Sequence, residues 1–383
     1  MATEELKYMN IAKGWLIIFV VMGHIGNDFL TDFLHCTMTF QMVVFYFICG
    51  YFTKINTSSF KELISTWWHR FSKIYFTYLK YELLFLVCKN LFFKVGFYST
   101  EVSYAGKFIY PDTWIDFFKN VVLIVVGMGR EPMAGAFWFF VTLLFLITIL
   151  TVVRYVVVNC FPKYVELLTF VVVFLIFLAG SVLNYYDILI PRLVPAFTMI
   201  MPFYLGYIQR EKHLKPTYNN SLLAVIAVVL LFAITYVGYC AVNTNTFGFS
   251  FPRLGIYQPY IWMQVLSGPV YMLLLTFVGA YAVIGSSRVI ENHTKYLSQF
   301  LRYVGKKSMA IMIFHFLAFR FVSLIQYALG KIEFKDMANL LGNGISPFWF
   351  SMNLIAGVVL SIAFYWMVEK AIEKIKCVSS CSR

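Results

Sequence analysis

Long apolar runs, separated by short groups of charged residues, proline and asparagine, follow one another along almost the whole chain. Each run approaches the length of about 20 residues that an α-helix needs to cross the hydrocarbon core of a bilayer. We therefore predict ten membrane-spanning helices. They lie near residues 10–29, 36–53, 72–94, 136–157, 164–183, 193–209, 219–241, 259–285, 303–328 and 347–370.

One further apolar segment, residues 113–128, has too short an apolar part to cross comfortably. We expect it to lie at the membrane interface, or to enter the membrane and return on the same side.

The composition supports this interpretation, because 61% of the residues are hydrophobic and only 13% are charged. A soluble domain has about 25% charged residues. Ten spans use most of the 383 residues and leave no room for a sizeable aqueous domain. We predict an all-α polytopic membrane protein with one transmembrane domain, residues 1–376, and a short cytoplasmic tail, residues 377–383. A soluble enzyme is excluded.

The net charge of +13 sets the expected orientation and does not indicate nucleic-acid binding. The basic residues lie between apolar runs and form no basic arm, so they are interpreted as topology signals. The connections richest in lysine and arginine alternate along the chain and, with both termini, are predicted to be cytoplasmic. The opposite connections, at about 95–135, 184–192, 242–258 and 329–346, are predicted to lie outside. The cytoplasmic basic residues are Lys54, Lys61, Arg70, Lys73, Arg154, Lys163, Arg210, Lys212, Lys215, Arg288, Lys295, Arg302, Lys306 and Lys307.

The seven cysteines are scattered and lack the spacing of a disulfide framework or a zinc site, so no metal is expected. The first apolar run has no small-residue cleavage site and is followed by further spans, which predicts a retained helix rather than a signal peptide.

The first predicted span carries two ionisable side chains, Lys13 and His24. Such a residue costs several kcal/mol inside a membrane unless it faces protein or water. Their separation of eleven positions places both on one face of a helix, about 16 Å apart along its axis. Asp28 follows His24 by four positions and would share that face.

This spacing has a chemical and a structural interpretation. An imidazole with a carboxylate beside it can take a proton from an attacking hydroxyl, while the lysine holds an anionic group of the other reactant. Alternatively, Lys13 reaches the lipid headgroups and His24 makes an ordinary hydrogen bond between helices. The spacing alone leaves both open.

The segment from Lys13 to His24, KGWLIIFVVMGH, resembles the basic-x10-His signature in the first helix of the acyltransferase-3 family. Members of that family are membrane O-acyltransferases that modify sugars and surface polysaccharides. Five more segments resemble landmarks of the family, in the same order and across nearly the whole chain. They are FQMVVFYFICGYF (40–52), HRFSKIYFTY (69–78), AFWFFVTLLF (136–145), MPFYLGYIQREK (201–212) and VGKKSMAIMIFH (304–315).

The sequence departs from the family pattern at five positions. The usual arginine is Lys13, and the family's histidine, proline and serine of the second helix are Gln41, Val43 and Cys49; a later proline is Thr77. Lysine still offers a point charge to a phosphate, although without the two-pronged geometry of arginine. The changes keep acyl transfer as the expectation and leave Gln41 and Cys49 without an assigned role.

The resemblance implies transfer of an acetyl or similar acyl group from acetyl-CoA, as co-substrate, to a hydroxyl of a carbohydrate acceptor, either a polysaccharide or a lipid-linked glycan. His24 would be the general base, or a transient acyl carrier, with Asp28 beside it. Lys13, Arg70 and Lys73 would hold the coenzyme A phosphates; the alternative for Arg70 and Lys73 is an ordinary cytoplasmic anchor. The expected location is a bacterial cytoplasmic membrane.

Three more residues are candidates on the donor side. Trp138 would form a wall of the acyl pocket, although a tryptophan near the end of a span is commonly an interface residue. His315 and Arg320, in the ninth span, would contact the thioester or the developing oxyanion. The alternative for both is a structural role inside the helix bundle.

Three residues are candidates on the acceptor side. Glu82, inside the third span, would polarise an acceptor hydroxyl or simply satisfy a neighbouring helix. Arg130 and Glu131, in an outer connection, would contact the sugar, or form a solvated pair in a loop.

Two other functions fit parts of the pattern. A transporter or flippase for a lipid-linked glycan would use Lys13, His24 and Glu82 to line its path. A membrane sensor with degenerate motifs would account for the departures at Lys13 and Gln41. Consumption of a thioester separates the enzyme from both alternatives.

Overall fold

The computed structural model describes residues 2–57, 59–104, 106–186, 188, 190–212, 220–241 and 261–381. These residues form twelve α-helices and four two-residue strands. The helices are α1 (Ala2–Gly23), α2 (Thr31–Tyr51), α3 (Phe60–Lys94), α4 (Trp114–Val125), α5 (Trp138–Cys160), α6 (Val165–Tyr185), α7 (Leu193–Glu211), α8 (Ser221–Ala241), α9 (Ile261–His293), α10 (Lys295–Lys306), α11 (Ser308–Ala328) and α12 (Pro347–Cys381). The strands are β1 (Ile25–Gly26), β2 (Ser103–Tyr104), β3 (Lys107–Phe108) and β4 (Gly342–Asn343).

The prediction of an all-α polytopic membrane protein is confirmed, because helices form most of each of the ten predicted spans. Seven helical segments among the described residues are long and apolar enough to cross a membrane, and the spans in α1, α3 and α7 are not among these seven. The predicted connection 242–258, Lys215, residue 219 and residues 259–260 lie outside the described residues. The assignment of sides and of a single domain stays a prediction.

The first span is shorter than predicted. Helix α1 ends at Gly23, and the chain then enters strand β1 instead of continuing as a helix to residue 29. The Asn27 side chain accepts a hydrogen bond from the Leu30 backbone at 2.7 Å and so fixes the turn before α2. Glycine and asparagine disfavour a helix here, and asparagine suits a turn.

Helices end and begin at other places that the apolar pattern does not mark. The predicted span 303–328 is divided, since α10 ends at Lys306 and α11 begins at Ser308. Helix α3 extends well before its predicted start at residue 72.

The contacts divide the chain into two compact units. The first consists of Met1–Phe19, Asp32–Thr77 and Trp138–Tyr303. Glycines let two of its helices meet closely: a Cβ on Gly50 of α2 would lie 1.8 Å from the Phe203 carbonyl oxygen, and one on Gly206 of α7 would lie 1.9 Å from that of Phe47. Such backbone approach through small residues is typical of membrane helices.

The second unit consists of Val20–Thr31, Tyr78–Phe137 and Val304–Arg383. Here α11 packs along α12, and the short 3-10 helix Pro132–Phe137 packs on α11. Strands β1 and β4 pair in parallel, Ile25 with Gly342 and Gly26 with Asn343. This unit contains both histidines that the sequence analysis singled out.

Segment 113–128 folds as α4, a helix too short to span a bilayer. Its start is fixed by a capping box, in which Thr113 and Asp116 each bind the other's backbone nitrogen. Trp114 and Ile115 are about four-fifths exposed, at 80% and 81%. Exposed large apolar groups on a short helix fit the predicted interfacial position.

Candidate functional site

The two histidines lie side by side in the second unit. His24 directly follows the last residue of α1 and is half-buried, whereas His315, on α11, is fully buried. His24 Nδ1 lies 3.2 Å from His315 Nε2, and His315 Nδ1 lies 3.0 Å from the Ile311 carbonyl oxygen. Phe316 packs against both rings, with centroid distances of 4.8 Å to His24 and 4.2 Å to His315. We call His24 and His315 the imidazole pair.

These contacts fix which nitrogen of each neutral ring carries the hydrogen. A carbonyl oxygen only accepts hydrogen bonds, so His315 Nδ1 must donate to Ile311. His315 Nε2 then carries a lone pair and accepts from His24 Nδ1. Nε2 of His24 is left with the lone pair, which is the arrangement that a general base requires.

Apolar surroundings favour the neutral state of the imidazole pair. Phe316 and Phe319 contact the His315 ring, and no carboxylate among the described residues hydrogen bonds to either histidine. A charged imidazolium at the buried His315 would have no counter-ion among the described residues, which is costly.

The backbone of His24 is held by the pairing of β1 with β4. Its carbonyl oxygen accepts from the Gly342 nitrogen at 2.9 Å, and that of Gly26 accepts from the Gly344 nitrogen at 2.8 Å. The β4 residue Asn343 is itself fixed, because its carbonyl oxygen accepts from Gln326 Nε2 at 2.8 Å and its amide donates to the Asp336 carbonyl at 3.1 Å. The position of the His24 ring therefore depends on a connection more than 300 residues away in sequence.

The prediction that Asp28 lies one helical turn after His24 is wrong. Since α1 ends at Gly23, His24 and Asp28 do not share a helical face. Asp28 is exposed, and the hydrogen-bond partner of His24 Nδ1 is His315. A second histidine thus takes the place that the spacing had given to a carboxylate.

Three basic residues of the first unit lie at the end of α2. Arg70 donates to the Phe52 carbonyl and Arg210 donates to the Tyr51 carbonyl at 3.3 Å, while Lys13 Nζ lies 5.2 Å from the centre of the Phe52 ring. Cations suit the last carbonyls of a helix. We call Lys13, Arg70 and Arg210 the cation cluster.

The cation cluster is not neutralised by nearby acids. None of its three members forms an ion pair with a carboxylate among the residues that the structure describes. Cys49, at the position of the family's serine, lies near Lys13 and Arg70. Three partly buried cations around one helix end can hold a phosphate group.

Two donor-side candidates are not members of the cation cluster. Lys73 is exposed and lies one helical turn after Arg70 on α3, where its carbonyl accepts from Thr77 at 2.7 Å. Trp138 is half-buried as the first residue of α5, in the first unit. Arg210, by contrast, joins the cluster although the sequence suggested only an anchor; its position in the 201–212 motif was the available signal.

Arg320 is fully buried in the second unit and is bonded on one side only. Its Nη1 donates to the Met337 carbonyl at 2.6 Å, whereas Nε and Nη2 have no hydrogen-bond partner among the described residues. Met337 belongs to the 3-10 helix Phe334–Ala338, in the connection that we predict to be outside.

The acceptor-side candidates differ in how far they are buried. Arg130 is exposed, but Glu131 is buried, so the interpretation of a solvated pair is wrong for Glu131. The Glu131 backbone donates to Glu82 Oε1 at 3.4 Å, and its carboxyl accepts from the Tyr98 hydroxyl at 3.5 Å. Burial raises the pKa of the Glu131 carboxyl, in the connection before α5, to about 8. That carboxyl is therefore mostly neutral near pH 7.

Among the residues that the structure describes, no group of three or more histidine, cysteine, aspartate or glutamate side chains is placed to hold a metal ion.

The fold and these side chains define an integral membrane protein with a hydrogen-bonded pair of histidines, of which His315 is buried and His24 half-buried, and a group of cations that has no acidic partner among the described residues. A family model described as an acyltransferase domain matches residues 6–368, nearly the whole chain. The chain therefore belongs to the acyltransferase-3 family and is a membrane acyltransferase. A search of curated proteins and a search of solved structures each returned no match to the chain.

Proposed function

We propose that this protein transfers an acetyl or similar acyl group from acetyl-CoA to a hydroxyl of a cell-surface polysaccharide or a lipid-linked glycan. The observation that carries the proposal is the imidazole pair, whose hydrogen bonds leave a lone pair on His24 Nε2. The family membership supports acyl transfer as the type of reaction. The cation cluster supports a donor that carries phosphates.

In the proposed reaction, the acceptor hydroxyl oxygen attacks the carbonyl carbon of the thioester while its proton moves to His24 Nε2. The tetrahedral intermediate then collapses, the carbon–sulfur bond breaks, and His24 returns the proton to the coenzyme A sulfur. The products are an O-acyl ester and a free thiol. Proton transfer of this kind contributes about 10²–10⁴-fold to a rate.

The imidazole pair suits this cycle because no hydrogen has to be rearranged. When His24 Nε2 takes the proton, Nδ1 of the same ring still donates to His315 Nε2. His315 therefore orients the base in both protonation states. It is a positioning residue in this proposal and does not touch the thioester.

The phosphates of the donor would bind at the cation cluster. Lys13 offers a mobile point charge, and the two arginines keep further N–H groups after binding the carbonyls of Phe52 and Tyr51. The proposed location, a bacterial cytoplasmic membrane, would supply acetyl-CoA from the cytoplasm.

The test uses membranes from cells that produce the full chain, incubated with acetyl-CoA labelled in its acetyl group. We expect label in the glycan fraction that mild base releases, since base cleaves O-esters but spares amides. His24→Ala should remove that label, while His69→Ala, at an exposed histidine of α3, should keep it. Label that resists base, or an equal yield from His24→Ala, would contradict the proposal.

A further inference from the structure

The guanidinium of Arg320 combines full burial with two unused donors. Buried polar groups in native proteins nearly always have hydrogen-bond partners, and a buried charge without them is costly. Only Nη1 is used, in its bond to the Met337 carbonyl. The other two nitrogens, Nε and Nη2, have no hydrogen-bond partner among the described residues.

The two unused nitrogens define a specific shape. Nε and Nη2 form one edge of the guanidinium plane, and one N–H bond of each points outward from that edge, parallel to the other. A carboxylate or a phosphate accepts such a pair with two oxygens at once, whereas a single carbonyl or hydroxyl uses only one. The bond to Met337 holds the opposite side of the group, so the free edge has a fixed direction.

The polar side chains near Arg320 do not hydrogen bond to Nε or Nη2, because they already have other partners. The Tyr104 hydroxyl is used by the Ala338 carbonyl at 2.9 Å and by the Ser99 nitrogen at 3.2 Å. The Tyr98 hydroxyl bonds to Glu131 and to the Met133 nitrogen at 3.1 Å. Glu131 forms no ion pair within 4.0 Å of Arg320, and its burial keeps it mostly neutral near pH 7.

We infer that the free edge of Arg320 binds a carboxylate or phosphate carried by the acyl acceptor. The contact with Met337 places Arg320 beside the connection 329–346, which is predicted to lie outside, where a glycan acceptor would enter. Calling the ligand an acceptor rests on the proposed function, but the anion site itself does not.

The position of Arg320 on α11 separates this site from the base. Arg320 follows His315 by five residues, which is about 7.5 Å along the axis and about 140° around it. The anionic group would therefore lie on another part of the acceptor than the hydroxyl that reacts. The acceptor class that follows is an acidic or phosphate-bearing glycan.

Ligand binding tests the site without any acyl transfer. The purified full-length protein is titrated with glucuronate, with its uncharged methyl ester and with glucose 1-phosphate, and thermal unfolding is followed. We expect glucuronate or glucose 1-phosphate to raise the unfolding temperature and the methyl ester to have no effect. A response to the carboxylate alone indicates an acidic sugar, and a response to the phosphate alone indicates a phosphate-bearing glycan. No response to either anion, or an equal response to the ester, would overturn the inference.

Two variants locate the binding. Arg320→Lys keeps the charge but lacks the parallel N–H pair, so the affinity for the anion should fall by about 10–100-fold. Lys331→Gln removes an exposed charge from the same connection and should bind as the wild type does. Unchanged affinity in Arg320→Lys would refute the assignment. If that variant does not fold, the same titration of Lys13→Ala decides, because an anion bound at the cation cluster would lose its effect there and an anion bound at Arg320 would keep it. Failure of the transfer assay with intact anion binding would count against the proposed function and not against this site.

Discussion

At the scale of single residues, the account depends on the direction of a few hydrogen bonds. The sequence identified Lys13, His24 and His315 as side chains that do not belong in lipid, because charge and imidazole are conspicuous in apolar runs. It could not show that His315 contacts His24, since 291 residues separate them. It also predicted the wrong partner, Asp28, because helical spacing was applied beyond the end of the helix.

The first prediction concerns His315. In His315→Leu the His24 Nδ1 hydrogen loses its acceptor, so we expect kcat to fall about 5–30-fold with little change in either Michaelis constant. In His315→Gln the side-chain oxygen can accept that hydrogen, and most of the rate should return. Rescue by glutamine but not by leucine, at matched unfolding temperatures, would identify a positioning role. Equal losses in both variants would indicate packing alone.

The second prediction concerns the cation cluster. Lys13→Ala should raise the Michaelis constant for acetyl-CoA by about 10-fold and leave that for the acceptor unchanged, because one charged contact to a phosphate is removed. Lys61→Ala is the control, since Lys61 is exposed and lies nine residues before Arg70 on α3, about 13.5 Å along the helix axis. An effect of Lys13→Ala on the acceptor alone would refute the assignment to the donor.

At the scale of elements, the helices were predictable and their ends were not. Apolar length predicts a span because lipid offers no partner for backbone groups. The end of α1 instead depends on the pairing of β1 with β4, which brings distant residues together and leaves only two-residue strands. A two-residue strand has no periodicity that a sequence could reveal.

The third prediction tests that pairing. A Cβ on Gly344 would lie 2.6 Å from the Gly26 carbonyl oxygen, so Gly344→Ala must push β1 and β4 apart and displace His24. We expect the rate to fall about 10-fold or more, with a lower unfolding temperature. Gly26→Ala is the control, because its Cβ would meet the nearest atom, the Gly342 oxygen, at an ordinary 3.6 Å. Equal activity in the two variants would show that the pairing does not position the base.

At the scale of the whole molecule, composition and charge predicted the class of protein. The all-α membrane architecture follows from runs of apolar residues, and the family match over residues 6–368 agrees with the family that the six segments resemble. The sequence could not reveal the division into two compact units, because no linker or change of composition marks it. It also could not reveal that Arg320 keeps a free edge, which depends on the three-dimensional position of Met337.

The fourth prediction tests the orientation in the membrane. Lys107→Cys, in a connection that we predict to lie outside, should react with an impermeant maleimide in intact cells, while Lys61→Cys should react only after permeabilisation. Both positions are exposed, and the background would lack the exposed Cys160 and Cys377. The reverse pattern of labelling would show that the predicted topology is inverted. The cation cluster would then face away from cytoplasmic coenzyme A, which would contradict its role in donor binding.

The central claim is that His24 Nε2 takes the proton of the acceptor hydroxyl. Its most direct test is the steady-state release of coenzyme A thiol by the purified protein with acetyl-CoA and its glycan acceptor, comparing wild type with His24→Ala. The account predicts that kcat falls about 10²–10⁴-fold while the Michaelis constant for acetyl-CoA stays within about threefold. An unchanged kcat, or a loss that appears only in the Michaelis constant, would contradict it.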